Sequence, residues 1–326
     1  MNASTQDPFV KAVRERVAQV VVGQDVVVER VLISLFTSGH LLLQGMPGLA
    51  KTLLVDTVAR TIKLDFSRIQ FTIDLLPSDI VGSEILDPKT GKFSVSKGPV
   101  FTNLMLADEI NRAAPKVQSA LLEAMQERRV TIGNETFKLP VPFVVIATQN
   151  PIEQSGTFEL PEAQLDRFLL CHRLNYPTRE EEEEVLRRNL DLGLARAGRG
   201  KGAVAKTEFD VLEDKPIGGT KELVAAMEGV HGVHVSETFQ KHTVELINRT
   251  REHPMLELGC SPRGAIAMGK AARARAFIRG RDYVVPEDLF DLAEDVILHR
   301  IRLNYEALAG GATAAGVLEE ILEGMG

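Results

Sequence analysis

Cysteine is scarce in this sequence: the 326 residues include only Cys171 and Cys260. The two lie far apart and neither belongs to a C-x-x-C pair, so a zinc site or a disulfide framework has little support. We expect both to be buried free thiols in a reducing cytoplasm. The sequence also lacks the G-x-S-x-G and H-E-x-x-H motifs, so nothing in it indicates a serine hydrolase or a zinc protease.

A basic excess is missing as well, because 38 basic residues stand against 45 acidic ones and the net charge is −7. This balance argues against a dedicated nucleic-acid-binding protein. No stretch approaches the ~18 consecutive apolar residues of a membrane span. The N-terminal residues lack the basic-plus-apolar pattern of a signal peptide. We therefore expect a cytoplasmic protein without a membrane span.

What the sequence does contain is an alternation of short apolar runs and helical patterns between residues 8 and 170. The runs HLLLQ (40–44), NLMLADE (103–109) and FVVIATQN (143–150) are too short and too apolar for surface helices. Runs of this kind are typical of strands buried on both faces of a parallel sheet. The pattern therefore predicts an α/β domain with helices flanking the sheet.

Two turn-containing stretches, residues 84–100 and 129–139, predict β-hairpins on either side of NLMLADE. Thr178 followed by Glu181 indicates the start of a new helix. Residues 191–220 are rich in glycine and lysine and predict an extended loop, and the pattern from residue 221 onward is almost entirely helical. We expect an α/β domain over residues 1–176 and a smaller, all-helical domain over residues 177–326.

The stretch LLLQGMPGLAKTLL comes close to the phosphate-binding pattern G-x-x-x-x-G-K-[ST]. Gly45 opens the pattern, Lys51 and Thr52 close it, and Ala50 replaces its last glycine. Glycine is needed where φ is positive or where a Cβ would strike the phosphate. We expect Ala50 to have the negative φ of a residue entering the helix, with Gly45 and Gly48 in the strained positions. Lys51 is expected to contact the β- and γ-phosphates of ATP, and the Thr52 hydroxyl to bind Mg²⁺.

Polar side chains follow two of the other predicted strands. Asp108 and Glu109 end the run LMLADE, at the strand edge where ligands bind in open α/β sheets. Asp108 can hold the metal, directly or through water, and Glu109 can polarise the attacking water. Asn150 ends the third run and is expected to orient that water beside the γ-phosphate. By itself an asparagine before a proline is a turn former, so its assignment depends on the other two motifs.

The ordered set GMPGLAKT, LMLADE, ATQNP, LPEAQLDRF and SPRG resembles the AAA+ ATPases of the MoxR family. GxPGxAKT is a form that this family uses, which accounts for Ala50. The stretches QFTIDLLPSDIVG and DEINRAAPKVQSALLEAMQE are also similar to family signatures, although Ile73 stands where many members carry proline. The resemblance covers nearly the whole chain, and it implies that residues 1–176 are the nucleotide-binding core and residues 177–326 the helical lid domain.

This resemblance implies a ring, usually a hexamer, with ATP at the subunit interfaces. Arg167 matches the arginine finger that reaches a neighbouring subunit's γ-phosphate, and Arg263 matches the sensor-2 arginine, acting on either its own or a neighbouring subunit's nucleotide. The segment around Gly23 resembles the one that packs around adenine, although it could also be the start of an ordinary core helix. The hairpins match the helix-2 insert and the pre-sensor-1 hairpin, which tend to face the pore of the ring. The predicted nucleotide-binding residues are Val22, Gly23, Gln24, Gly45, Pro47, Gly48, Leu49, Ala50, Lys51, Thr52, Leu53 and Asp108.

The function that the resemblance implies is Mg²⁺-dependent ATP hydrolysis coupled to chaperone-like remodelling or maturation of a partner protein, which in this family often carries a von Willebrand factor A domain. Three alternatives stay open: a DNA-translocating motor similar to the MCM helicases, a magnesium-chelatase-like motor subunit, and a nucleotide-binding scaffold without turnover. The hairpin lysines Lys89, Lys92 and Lys97 favour the DNA motor. Residues 269–285 carry several basic side chains that could bind nucleic acid, contact a neighbouring subunit or be solvated; these are Lys270, Arg273, Arg275, Arg279 and Arg281.

Overall fold

The protein combines thirteen described strands with thirteen described α-helices. The computed structural model describes residues 7–46, 48–86, 88–89, 91–151, 156–196, 203–211 and 215–325. In chain order the strands are β1 (Leu41–Gln44), β2 (Phe66–Gln70), β3 (Gly82–Leu86), β4 (Phe93–Lys97), β5 (Leu104–Asp108), β6 (Arg129–Ile132), β7 (Glu135–Lys138), β8 (Val144–Gln149), β9 (Leu170–Arg173), β10 (Leu194–Arg196), β11 (Ala203–Ala205), β12 (Leu256–Leu258) and β13 (Arg302–Leu303). The helices are α1 (Pro8–Ala18), α2 (Asp25–Thr37), α3 (Lys51–Ile62), α4 (Pro77–Val81), α5 (Pro115–Glu127), α6 (Glu162–Leu165), α7 (Arg179–Leu190), α8 (Thr220–Gly232), α9 (Glu237–Glu252), α10 (Pro262–Ile278), α11 (Pro286–Ile297), α12 (Tyr305–Ala309) and α13 (Ala314–Glu323).

Five of these strands form the central sheet, in the order β2-β5-β8-β1-β9. Every neighbouring pair is parallel, so the carboxyl ends of the strands meet at one edge. The strands predicted from the three apolar runs are confirmed as β1, β5 and β8. The pattern did not predict β2 or β9, which complete the sheet on its two outer sides. The predicted α/β class with a parallel sheet is therefore confirmed.

Successive strand residues enter two separate cores, because side chains alternate between the faces of a sheet. Leu41 and Leu43 belong to a core that also contains buried side chains of α1, α2 and α3. Leu42 belongs to the other core, with Met105 and Val145 and the buried face of α5. Helices thus cover both faces, which explains why the strands read as continuous apolar runs.

Both predicted hairpins are confirmed, as the antiparallel pairs β3–β4 and β6–β7. They contact one another through a basic side chain of the first hairpin. The Lys97 ammonium lies 4.9 Å from the ring centroid of Phe101 and 5.1 Å from that of Phe137. Lys97 is therefore held between two aromatic rings by cation–π contacts.

The predicted extended loop over residues 191–220 is wrong for the part that the structure describes. β10 and β11 pair antiparallel, and a 3-10 turn spans Glu208–Val211. The Arg60 guanidinium of α3 lies 5.0 Å from the ring centroid of Phe209, and the Ile217 N–H donates to the Thr61 carbonyl over 2.9 Å. These tertiary contacts with α3 hold a polar, glycine-rich stretch that lacks a periodic pattern of its own.

Helices α8 to α13 and the short β12–β13 pair form the helical lid, which confirms the predicted helical pattern. The helix before it begins at a capping box, in which the Glu181 N–H donates to the Thr178 hydroxyl over 3.3 Å and the Thr178 N–H donates to the Glu181 carboxylate over 2.8 Å. The predicted division after residue 176 falls between β9 and α7 and stays a prediction.

Several arginines of the basic stretch 269–285 have a role that the sequence did not predict. Arg275 is buried and pairs with Glu29 of α2 at 3.3 Å and with Asp288 of α11 at 2.5 Å. Arg279 pairs with the second oxygen of Glu29 at 2.8 Å, and Arg281 with Asp288 at 2.6 Å. Arg275 and Arg279 thus join the lid to the core through Glu29, which is buried and therefore has to be paired, whereas Arg281 pairs within the lid.

The two cysteines are buried free thiols, as predicted. Burial raises the pKa of Cys171 to about 12 and that of Cys260 to about 11. Both therefore stay protonated and act as small apolar side chains. Across the described residues, no helix is long and apolar enough to cross a membrane.

Candidate active site

The phosphate-binding loop connects β1 to α3, with the helix starting at Lys51. Gly48 has a φ of +86°, which favours glycine. Gly45 has no positive φ, so the prediction that it takes a strained conformation is wrong. A Cβ at this position would lie 2.8 Å from the Cβ of Leu174, and close packing is therefore the reason for the glycine. Pro47, also predicted to contact nucleotide, lies outside the described residues.

The prediction for Ala50 is also wrong. Ala50 has a φ of +52° and a ψ of +23°, the left-handed region, because it is the N-cap residue and the helix begins one position later. A non-glycine residue in this region carries a cost of roughly 1–2 kcal/mol. The loop therefore accepts an alanine at a position whose backbone conformation favours glycine.

Lys51 and Thr52 are the first two residues of α3 and directly follow the loop. The Lys51 ammonium donates to the Gly45 carbonyl over 2.8 Å, across the opening of the loop. Burial lowers the pKa of Lys51, and the nearby carboxylates of Asp108 and Glu109 oppose that shift. The Thr52 hydroxyl lies 3.4 Å from Asp108 Oδ2, so the two side chains predicted to bind metal are neighbours.

Asp108 is held at the end of β5 by a buried threonine of β8. The Thr148 hydroxyl donates to Asp108 Oδ1 over 2.6 Å and accepts from the Glu109 N–H over 2.8 Å. Glu109 itself has a φ of +57°, so the chain turns sharply directly after the strand. The Thr148 hydroxyl thus binds the side chain of Asp108 and the backbone of Glu109, and so positions both residues. The sequence signal for it was a threonine in an apolar strand, which needs a hydrogen-bond partner when buried.

Two polar side chains of β2 contact the same carboxylates. Arg68 Nη2 donates to Asp108 Oδ2 over 2.7 Å, and Gln70 Nε2 donates to Glu109 Oε2 over 2.6 Å. Arg112 Nε lies 3.0 Å from Glu109 Oε2. Sequence reasoning did not select Arg68 and Gln70, because β2 itself was not predicted.

One cavity of about 480 Å³ brings together predicted nucleotide-binding, metal-binding and catalytic side chains that follow three strand ends. Its lining includes Lys51, Thr52, Asp108, Glu109 and Asn150, together with Arg68, Gln70 and the turn residues Glu208 and Phe209. Asn150 is buried, and its carbonyl accepts from the Asn111 amide over 3.4 Å. The edge of the sheet thus carries a cation, a hydroxyl, two carboxylates and an amide around one space.

An adjoining, more apolar cavity of about 700 Å³ shares Gly48, Leu49, Ala50 and Leu53 with the first. Val22 and Gln24, which the resemblance assigns to the surroundings of adenine, line this cavity. Gly23 is not among its described lining residues; its φ is +69°, and a Cβ there would meet the Glu181 carboxylate. Further walls come from α7 and from the turn Glu208–Val211, parts of the chain that the sequence did not assign to a site.

Arg167 and Arg263 do not line either of these cavities. They face a third one, together with Arg128 and Lys270. Arg167 donates to Gln126 Oε1 over 3.0 Å, and Arg263 Nε lies 3.9 Å from Asp166 Oδ2. The structure therefore gathers the two predicted arginines with each other but not with the Lys51 loop.

The residues around the Thr52–Asp108 pair suit Mg²⁺. This ion commonly binds through one or two carboxylates plus substrate phosphates and keeps several waters. Among the described residues no cluster of three or more histidine, cysteine or acidic side chains forms a closed metal cage. One hydroxyl beside one carboxylate, next to a phosphate-binding loop, is the donor set expected for a metal that arrives with a nucleotide.

Comparisons with known proteins agree with this geometry. Residues 40–170 match the ATPase family associated with various cellular activities (AAA), and residues 248–321 match the AAA lid domain. The chain is 43% identical to chaperone MoxR1 of Mycobacterium tuberculosis over 94% of its length and 79% of the relative's, and 32% identical to protein MoxR of Methylorubrum extorquens over 88% and 86%. A solved structure of a candidate ATPase from Cytophaga hutchinsonii superposes with a TM-score of 0.85 at 44% identity, covering 97% of this chain and 93% of that one.

The fold and site thus define an AAA ATPase with a lid domain. Within that class, the chain belongs to the MoxR family.

Proposed function

We propose that this protein hydrolyses ATP with Mg²⁺ and couples the hydrolysis to chaperone-like remodelling or maturation of partner proteins. The observation that carries the proposal is the convergence of Lys51, Thr52, Asp108, Glu109 and Asn150 on one cavity beside the phosphate-binding loop. The similarity to a relative named as a chaperone supports the second half. A partner with a von Willebrand factor A domain remains part of the proposal on the family resemblance alone.

Each residue has a role that follows from its position. The loop amides and Lys51 bind the phosphates, and Thr52 and Asp108 hold the metal, which when bound supplies positive charge to the phosphate oxygens. Glu109 accepts a proton from the attacking water, and Asn150 orients that water. Val22, Gln24 and the neighbouring apolar walls enclose the base.

We also propose that the protein works as a ring, a hexamer as is usual in its family, with Arg167 and Arg263 both serving the nucleotide of a neighbouring subunit. Both arginines line a cavity separate from the one that contains their own Lys51. Lys270 and Arg128 add positive charge to that face. Such a cationic face complements a triphosphate presented by an adjoining copy, and an arginine finger is worth roughly 10³–10⁵ in rate.

The decisive experiment replaces the proposed base. Glu109→Gln is expected to bind ATP with wild-type affinity while releasing phosphate at a rate lower by at least roughly 10²-fold, the scale of general-base catalysis. A matched control is Glu127→Gln, which alters a surface carboxylate at the end of α5. Unchanged phosphate release by the Glu109 variant would remove the assigned role.

The alternative of a DNA-translocating motor is disfavoured by Lys97, whose ammonium is held between two rings of the neighbouring elements. We expect single-stranded DNA at low salt to leave ATP turnover unchanged. Stimulation under those conditions would instead favour the DNA motor over the chaperone-like function.

A further inference from the structure

Arg68 of β2 contacts the oxygen of Asp108 that is available to a metal. Oδ1 already accepts from Thr148 over 2.6 Å. Oδ2 lies 3.4 Å from the Thr52 hydroxyl and accepts from Arg68 twice, from Nη2 over 2.7 Å and from Nε over 3.3 Å. A single oxygen is thus shared by the predicted metal-binding hydroxyl and by a guanidinium of the same chain.

The register of the sheet brings Arg68 to this place. β2 runs parallel to β5, with Arg68 opposite Leu106 and Gln70 opposite Asp108. Arg68 Nη2 also donates to Gln70 Oε1 over 3.2 Å, which directs the guanidinium along the strand toward the carboxylate. The Arg68 side chain is 46% exposed, so it can leave Asp108 for solvent without opening the core.

A guanidinium and a divalent ion compete for the negative charge of this carboxylate. Mg²⁺ commonly binds through only one or two carboxylates plus substrate phosphates, so a carboxylate that already pairs with Arg68 is a weaker ligand for it. Two cations beside one carboxylate oxygen also repel each other. Metal binding therefore weakens the Arg68 contact or displaces it.

We propose that Arg68 competes with the divalent metal for Asp108 and so sets the metal concentration that the nucleotide site requires. The inference rests on the proposed nucleotide and metal site. In the absence of metal, the Arg68 contact neutralises the Asp108 carboxylate. Because the metal has to compete with this contact, the apparent affinity for metal is lower the stronger the contact is.

The test measures metal binding directly rather than turnover. Mn²⁺ is titrated into wild-type protein saturated with ADP, and free Mn²⁺ is followed by electron paramagnetic resonance. Arg68→Gln is expected to bind Mn²⁺ about threefold to tenfold more tightly, a range that reflects a charge-assisted but half-exposed contact. Arg68→Lys, which keeps the charge but loses the paired N–H groups, is expected to lie between the two.

Arg112→Gln is the matched control, because it removes an equal charge that contacts Glu109 instead of Asp108. Its effect on Mn²⁺ affinity is expected to be smaller than that of Arg68→Gln.

ADP binding in EDTA, measured with a fluorescent ADP analogue, should be unchanged by Arg68→Gln. Equal or weaker Mn²⁺ binding by Arg68→Gln would overturn the competition. Weaker ADP binding in EDTA would also overturn it and would assign Arg68 to the phosphates. Failure of the wild type to bind ADP at all would instead remove the proposed function.

Discussion

Thr148 and Asp108 are joined by a 2.6 Å hydrogen bond between two buried side chains of adjacent strands. The same hydroxyl accepts from the Glu109 N–H, so one threonine orients both proposed catalytic carboxylates. These two hydrogen bonds form because β5 and β8 pair in parallel, which brings Thr148 next to Asp108 and Glu109 although they are far apart in sequence.

Replacing Thr148 by valine keeps the shape of the side chain and removes both hydrogen bonds. Because a hydrogen bond to a charged group is worth about 1.5–3 kcal/mol, we expect the kcat for ATP to fall about 10-fold to 100-fold with a smaller change in KM. Thr148→Ser should restore most of the activity. Steady-state kinetics of both variants test this, with Thr131→Val on the exposed hairpin as control; wild-type kcat in Thr148→Val would contradict it.

Mixing two inactive variants tests whether Arg167 serves a neighbouring subunit. Lys51→Ala is expected to lose ATP binding and Arg167→Ala to lose roughly 10³-fold or more in turnover. In mixed rings, an intact loop can meet an intact Arg167 across an interface, so turnover should exceed the sum of the separate variants. The exposed variant Arg179→Ala should behave as wild type. No recovery on mixing, in rings shown by native mass spectrometry to contain both chains, would place Arg167 in its own subunit's site.

The left-handed conformation of Ala50 predicts that glycine is accepted there. Ala50→Gly relieves a backbone cost of roughly 1–2 kcal/mol and adds up to about 1 kcal/mol of chain entropy to the unfolded state. We expect the free energy of unfolding in urea to stay equal or rise by up to about 1 kcal/mol, with nucleotide binding retained. Gly48→Ala, at a φ of +86°, should lower it. A clear loss of stability in Ala50→Gly would contradict the assigned backbone conformation.

His40 predicts a dependence of stability on pH. Its Nδ1 accepts from the Val145 N–H over 3.0 Å, so Nε2 carries the proton and donates to the Met125 carbonyl over 3.2 Å. Burial lowers the pKa of His40 to about 4. The unfolded chain, with a histidine pKa of about 6.5, binds the proton first as the pH falls. The stabilisation is therefore fully present above about pH 6.5 and is lost progressively toward pH 4, by an amount on the order of 3 kcal/mol.

Urea unfolding at several pH values between 7.5 and 4.5 measures this effect. His40→Gln should be less stable than wild type at pH 7.5 but lose less stability on acidification. Burial also lowers the pKa of His299 well below its usual value. Because His299 is present in both the wild type and His40→Gln, its contribution to the pH dependence of stability is the same in both. Parallel pH profiles for the wild type and the variant would show that His40 is not responsible.

Local sequence was sufficient to predict the parts of the site that follow one another along the chain. A strand, a glycine-containing loop and a helix occur in a row in the Lys51 motif, and a carboxylate pair directly follows the strand at Asp108. The conformation of Ala50 was predicted wrongly because a one-residue shift in the start of a helix changes the sign of φ. Such shifts are decided by the contacts of the loop and not by the propensity of alanine.

Contacts between distant residues could not be predicted in this way. Arg68 and Thr148 reach Asp108 only because β2 and β8 pair with β5 on its two sides. The turn Glu208–Val211 borders the cavities beside the Lys51 loop only because it packs on α3. Arg275 seemed available to a ligand in the sequence and is paired with Glu29, far away in the chain.

The sequence alone thus determined the order of strands, loop and helix that creates a phosphate-binding edge, because backbone geometry and side-chain periodicity act over a few neighbouring residues. The tertiary structure decided which other side chains meet at that edge and which face away from it, as Arg167 and Arg263 do. Those choices depend on strand pairing and helix packing, which bring together residues that no local pattern relates.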